Sequence, residues 1–228
     1  MAPIFQGIIK QERRLLLKGK LLVFLALILV LCLGISQIQI KVLEETISLS
    51  REERVTLVLY RKAFSKYGNT IEIRRGQKST WKKFQGKNAL NIWKLCLGDV
   101  DGDGEVEIGL GVYKKAPHHQ VMARRPFLYN IRDGELQAKF RASRLSLPME
   151  DFTLYDIDKD GREEILSVER KGNQYFLAAY HYSNFHISRD YLSRPLEEKP
   201  LLEEKPGWIC YQGETQLLEI NGKEIVLP

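Results

Sequence analysis

Cysteine and histidine are scarce in this chain, and their scarcity removes several classes of function at once. Of three cysteines, Cys32 sits inside a long apolar run, which leaves Cys96 and Cys210, each shortly after a tryptophan, Trp93 and Trp208. Two cysteines make no disulfide framework; they form either one bridge or, as we prefer, two buried thiols. Of four histidines, His118 and His119 are adjacent and His181 and His186 flank a polar turn. A zinc site on the adjacent pair would need two further ligands that no motif supplies. No nucleophile elbow, HExxH pair or phosphate-binding loop occurs. Catalysis has few candidate groups.

Charge is absent from residues 21–40, "LLVFLALILVLCLGISQIQI". Residues 21–35 are unbroken apolar or glycine, and Ile38 and Ile40 extend the run to the ~20 residues that cross a bilayer as a helix. Before it, Lys10, Arg13, Arg14, Lys18 and Lys20 stand against Glu12 alone, a net +4 over residues 1–20. The expectation is a basic cytoplasmic tail (1–20), a single transmembrane helix or signal anchor (21–40), and a stalk (41–54). The domain over 55–228 then lies outside, tethered to the bilayer. Gly34 and Ser36 also suit a signal-peptide cut before Gln37; we prefer the retained anchor, and either reading puts the domain outside the cytoplasm. From Lys41 onward 30 basic residues face 28 acidic ones. The basic balance belongs mostly to the tail, so nucleic acid is not an expected partner.

Helical periodicity is missing beyond residue 50. The charged stretch 42–54, "VLEETISLSREER", is the one helix-compatible segment after the apolar run. "VTLVLY", "TIEIRR", "VEIGLGVY", "RPFLYNI", "EEILSVE" and "YFLAAYHY" alternate with period two and read as strands. The fold class is all-β, and repeats suggest its architecture. "LGDVDGDGEVEI" returns as "LYDIDKDGREEI", matching Asp99 to Asp156. Downstream, "FLYNIRDGELQAKF" aligns with "LAAYHYSNFHISRDY", pairing Tyr129 with Tyr180, Ile131 with Tyr182 and Leu136 with Ile187. Two further hairpins, "TIEIRRGQKSTW" and "QLLEINGKEIVL", share the form strand, polar turn, strand. Units of this size suit four-stranded propeller blades. The expectation is a small or partial β-propeller of about four blades, two of them complete (88–143 and 147–195), with terminal strands able to close the ring. "SRPLEEKPLLEEKPG" is the most loop-like segment.

Each complete unit carries acidic residues at positions 1, 3, 5 and 9 of a loop, with glycine at 6. These are Asp99, Asp101, Asp103 and Glu107 with Gly104, and Asp156, Asp158, Asp160 and Glu164 with Gly161. Alternate carboxylates converge when the backbone curls, and glycine tolerates the turn. Position 7, Glu105 or Arg162, would add its backbone carbonyl. Such hard oxygen donors suit Ca²⁺, two ions in all, held as structural staples. Position 12 is Leu110 or Ser167, so neither loop is an EF-hand.

"DVDGDGEVE" and "DIDKDGREE", each entered from one apolar strand and left through another, resemble the calcium loops of FG-GAP/VCBS-type β-propeller repeats. Integrin α-subunit heads and many bacterial surface proteins carry such repeats. The resemblance covers residues 88–195 and implies blades with a calcium loop between their first two strands.

"KKAPHHQVMARR" accounts for the extra length of the first unit and reads as an inserted loop. Its Lys114, Lys115, Arg124 and Arg125, with Val121 and Met122 between them, are the candidate contact residues for an envelope protein or an acidic surface polymer. The expected function is a membrane-tethered, non-catalytic binding or assembly module. The alternative is a glycan-acting hydrolase or lyase on the same scaffold.

Overall fold

Strands make up most of the described chain beyond residue 38, and the central ones are buried continuously. The computed structural model describes the backbone of residues 2–48 and 54–227, and side chains for residues 17, 18, 20–48 and 54–227. Two units are distinguished, Met1–Ile40 with Lys62–Ser65, and Lys41–Arg61 with Lys66–Pro228.

The first unit contains one helix, α1 (Ala2–Ser36). The expected transmembrane span is not found: among the described residues, no helix is long and apolar enough to cross a membrane. The reason is where the helix stops. A span over 21–40 needs Ile38 and Ile40 in its last turn, but α1 ends at Ser36 and strand begins at Gln39. The charge-free part of α1, residues 21–36, rises roughly 24 Å, short of the ~30 Å hydrocarbon core. The single-pass anchoring expected from the sequence is thereby overturned. The side chains of Lys10, Arg13 and Arg14 lie outside the described residues.

The strands, in chain order, begin with β1 (Gln39–Ser48), β2 (Arg54–Lys62), β3 (Gly68–Arg75) and β4 (Lys78–Lys83). The first complete repeat supplies β5 (Ile92–Gly98), β6 (Glu107–Ala116), β7 (His119–Arg132) and β8 (Glu135–Arg141). The second supplies β9 (Met149–Tyr155), β10 (Glu164–Lys171), β11 (Gln174–Ser183) and β12 (His186–Ser193). Five short strands follow: β13 (Leu201–Leu202), β14 (Trp208–Tyr211), β15 (Glu214–Leu217), β16 (Glu219–Asn221) and β17 (Glu224–Val226).

Among the described residues these strands form three sheets. The first runs β1-β2-β3-β5-β6-β7-β8, with β4 also on β3; the second runs β16-β17-β12-β11-β10-β9; the third is β13-β14-β15. Within each repeat the four strands form an antiparallel meander. The two meanders even share a defect. Register slips between Leu128 and Tyr129 on β7 and between Ala179 and Tyr180 on β11, positions that the repeat alignment equates. The cross-strand pairs Ile131–Leu136 and Tyr182–Ile187 are likewise equivalent.

The centre of the second sheet, β10 and β11, is buried on both faces, and period two sends alternate residues to each. Ile165, Ala178, Tyr180 and Tyr182 pack with Trp93, Cys96, Leu128 and Phe152, which joins the two meanders face to face. Leu166, Val168, Leu177 and Ala179 turn the other way, toward Ile209, Leu218 and Ile225. Close approach explains one glycine near the first acidic loop: a Cβ at Gly98 would lie 2.8 Å from that of Leu154.

Four further expectations change. The segment read as a helix-compatible stalk carries most of β1, on which Leu43 and Ile47 alternate onto the core; paired glutamates disguised the period. Residues 49–53 of that stalk lie outside the described residues. The inserted loop is instead a hairpin extension, in which Lys114 opposes Ala123 and Ala116 opposes His119. Among the described strands no ring closes: β1 ends one sheet, and β16 ends another. The proline-rich segment contributes β13 to the small third sheet.

Candidate metal centre

Each acidic loop joins the first two strands of its meander, and the two loops fold alike. Gly104 and Gly161 take positive φ, +84° and +90°, and let the backbone turn back on itself. Their N–H groups donate to the position 1 carboxylates, Gly104 to Asp99 at 2.7 Å and Gly161 to Asp156 at 3.0 Å. The position 9 glutamates start β6 and β10 and are fully buried. Each accepts from the N–H of position 2: Val100 to Glu107 at 2.9 Å, Ile157 to Glu164 at 3.1 Å. Carboxylate oxygens of Asp99, Asp101 and Glu107 lie within 4.8 Å of one another, as do those of Asp156, Asp158 and Glu164.

Positions 1, 3 and 9 therefore converge. Position 5 stands aside in both copies: Asp103 accepts from the N–H of Glu105 at 2.8 Å, and Asp160 from the N–H of Arg162 at 2.9 Å. The Arg162 guanidinium also grips Asp160 and holds its carboxyl below the usual range. The loops touch each other as well. Glu163 accepts from the N–H of Asp99 at 2.5 Å and donates its own N–H to the Asp99 carbonyl at 2.9 Å.

What the loops hold differs. In the first, the Lys139 ammonium lies 2.5 Å from Asp101 Oδ2 and 2.7 Å from Glu107 Oε1. Asn130 donates to the same Glu107 oxygen at 2.9 Å. Burial opposes the charge on Lys139, but its bonds to Asp101 and Glu107 prevail and raise its pKa. Glu107 is itself raised by burial, against the pull of Lys139 and the Val100 N–H.

In the second loop, none of the ion pairs formed by described residues reaches Asp156, Asp158 or Glu164. Asp158 accepts from the Tyr191 hydroxyl at 2.8 Å, and among the described residues Glu164 accepts from Ile157 N–H alone. Burial, with Asp158, Asp160 and Asp156 alongside, pushes Glu164 up to about 8. Three converging carboxylates, one fully buried and none ion-paired, fit a hard divalent cation. Asp156, Asp158 and Glu164 would hold it, and it would neutralise their mutual repulsion.

Lys139 and Asn130 escaped the sequence reading because they lie on later strands. One signal was available. The alignment that pairs Tyr129 with Tyr180 also pairs Lys139 with Asp190 and Asn130 with His181, so both donors change character between repeats.

The candidate contact residues separate into two kinds. Arg125 is fully buried and donates to the carbonyls of Lys114 (2.9 Å), His119 (3.1 Å) and Val121 (2.7 Å), so it clamps the hairpin from within. Arg124 bonds Glu150 and lies over the Trp93 ring, 5.0 Å from its centroid. Lys114 is half-buried, and burial lowers its pKa; Lys115 is exposed. Val121 and Met122 are exposed.

Outside the loops, Glu169 accepts from Tyr180 (2.5 Å), Leu147 N–H (2.8 Å) and Ser167 (3.0 Å), a saturated cluster buried between the sheets. Cys96 and Cys210 are unbridged, and burial pushes the Cys96 thiol up to about 12. Comparison with protein-family models and with curated proteins finds no match to this chain.

Proposed function

We propose that the β unit is a calcium-stabilised, non-catalytic binding module whose two meanders are blades of the FG-GAP/VCBS type, part of a small propeller-like stack. The carrying observation is the convergence of positions 1, 3 and 9 on one point in both repeats, at the same junction of each meander. Crowded carboxylates destabilise a cation-free loop, and a dication relieves that repulsion, so binding couples to the order of the strands on either side. The acidic groups act as a staple. The extended hairpin, with Lys114 and Lys115 beside exposed Val121 and Met122, is the surface through which an acidic polymer or a protein partner would be held.

Thermal unfolding of the full chain, first stripped with chelator and then supplied with millimolar calcium, tests the reading. A rise in Tm with calcium, larger than with magnesium, is expected. An unchanged Tm overturns it.

A further inference from the structure

The two loops share their turn glycine, their buried glutamate and their hydrogen-bond frame. They differ at the place where positive charge belongs. In the first repeat that place is taken by the chain itself: Lys139 Nζ, on a side chain only 11% exposed, bonds Asp101 and Glu107 at once. An ammonium is a monovalent cation with hydrogen-bond donors, and its seat marks where this loop geometry accepts a cation. The Asn130 amide completes the shell of Glu107 with a further donor.

Both donors are replaced in the second repeat, and among the described residues neither replacement donates to Glu164. Lys139 becomes Asp190, an exposed residue bonded to Ser188, and Asn130 becomes His181, whose ring lies by Arg162. Asp190 sits at the same register slip as Lys139, so the strand geometry is retained and only the chemistry has changed. Arg162 does not take over. It is spent on Asp160, outside the triad. Glu164, 1% exposed, is left facing Asp156 and Asp158 with no cation from among the described residues.

We propose that the two loops take different cations: the first is filled from within by Lys139 and binds no metal, and the second binds a single divalent cation of calcium type. This rests on the reading of the acidic loops as cation sites. Lys139 and a metal ion are alternatives for one seat, because a dication among Asp101 and Glu107 would confront an ammonium at contact distance.

Calorimetric titration of the chelator-stripped full chain with Ca²⁺ alone tests the split. The wild-type chain should bind one ion, Lys139→Gln two, Glu164→Gln none, and the double variant one. Should Lys139→Gln fail to fold, Asp190→Lys serves instead. It places an ammonium at the equivalent exposed position of the second repeat and should abolish the single wild-type site. Two ions in the wild type, or one ion that survives Glu164→Gln, overturn the split while leaving the loops as cation sites. No ion in any variant overturns the underlying reading and the split together.

Discussion

The first and second repeats have the same four-stranded meander, the same register slip and the same loop frame, yet they meet the problem of crowded carboxylates differently. The first neutralises its loop with Lys139, 2.5 Å from Asp101, and extends its β6–β7 hairpin around a buried arginine. The second does neither: its triad is free of ion pairs among described residues, and its β10–β11 hairpin turns directly after Lys171. A repeated scaffold thus conserves backbone hydrogen bonding, which any side chain tolerates, while the charge at one position is free to change sign.

The contrast is broken most severely at Lys139. Replacing it by Met in chelator removes the ammonium that Glu107, fully buried, depends on. The expected loss is about 3 kcal/mol of unfolding free energy, as for breaking a buried pair from one side. Asp190→Ala, at the equivalent exposed position, should stay within about 0.5 kcal/mol. Urea denaturation of both variants checks the difference, and equal effects would refute the role given to Lys139.

Next comes Arg125→Ala. It deprives the Lys114, His119 and Val121 carbonyls of a shared donor, for an expected loss of about 2 kcal/mol. The same denaturation curves measure it, and a neutral result would mean that the hairpin extension does not depend on its clamp.

The third test is pH. Glu164 rises from the ordinary 4.5 to about 8 through burial, so without metal the folded chain holds a proton that the unfolded chain releases. Where the folded state binds more protons, stability falls as pH rises, here between about 4.5 and 8. Glu164→Gln should flatten that slope more than Glu107→Gln, because Lys139 opposes the upward shift of Glu107. Tm measured across this interval in chelator decides it.

The smallest effect has the opposite sign. The β7–β8 turn uses Asp133 and Gly134 at φ +54° and +76°, whereas the β11–β12 turn uses Asn184 and Phe185 at +48° and +62°. Two-residue hairpin turns of this kind favour Asn-Gly, and Phe185 is 79% exposed, so it gives little packing in return. Phe185→Gly should stabilise by about 0.5 kcal/mol, seen as a small rise in Tm.

Much was already determined by the amino-acid sequence alone. Period-two alternation specified strands because successive side chains leave a strand on opposite faces, and the recurrence of "DVDGDGEVE" as "DIDKDGREE" specified two equivalent loops at equivalent junctions. Local turn chemistry placed Gly104 and Gly161 where φ is positive. Only the tertiary structure decided the rest, because it depended on partners distant in the chain. Composition suggested a membrane helix over 21–40, but Gln39 onward is drawn into a strand and the helix ends at Ser36. Arg125 looked like a surface charge until the hairpin closed over it. Position 5 of each loop turned away from the triad to bond its own backbone, and the cation of the first loop arrived on β8, thirty-two residues beyond the glutamate it serves. Spacing within a loop says which carboxylates are close in sequence. Which charge lies among them is set by the strands that pack beside it.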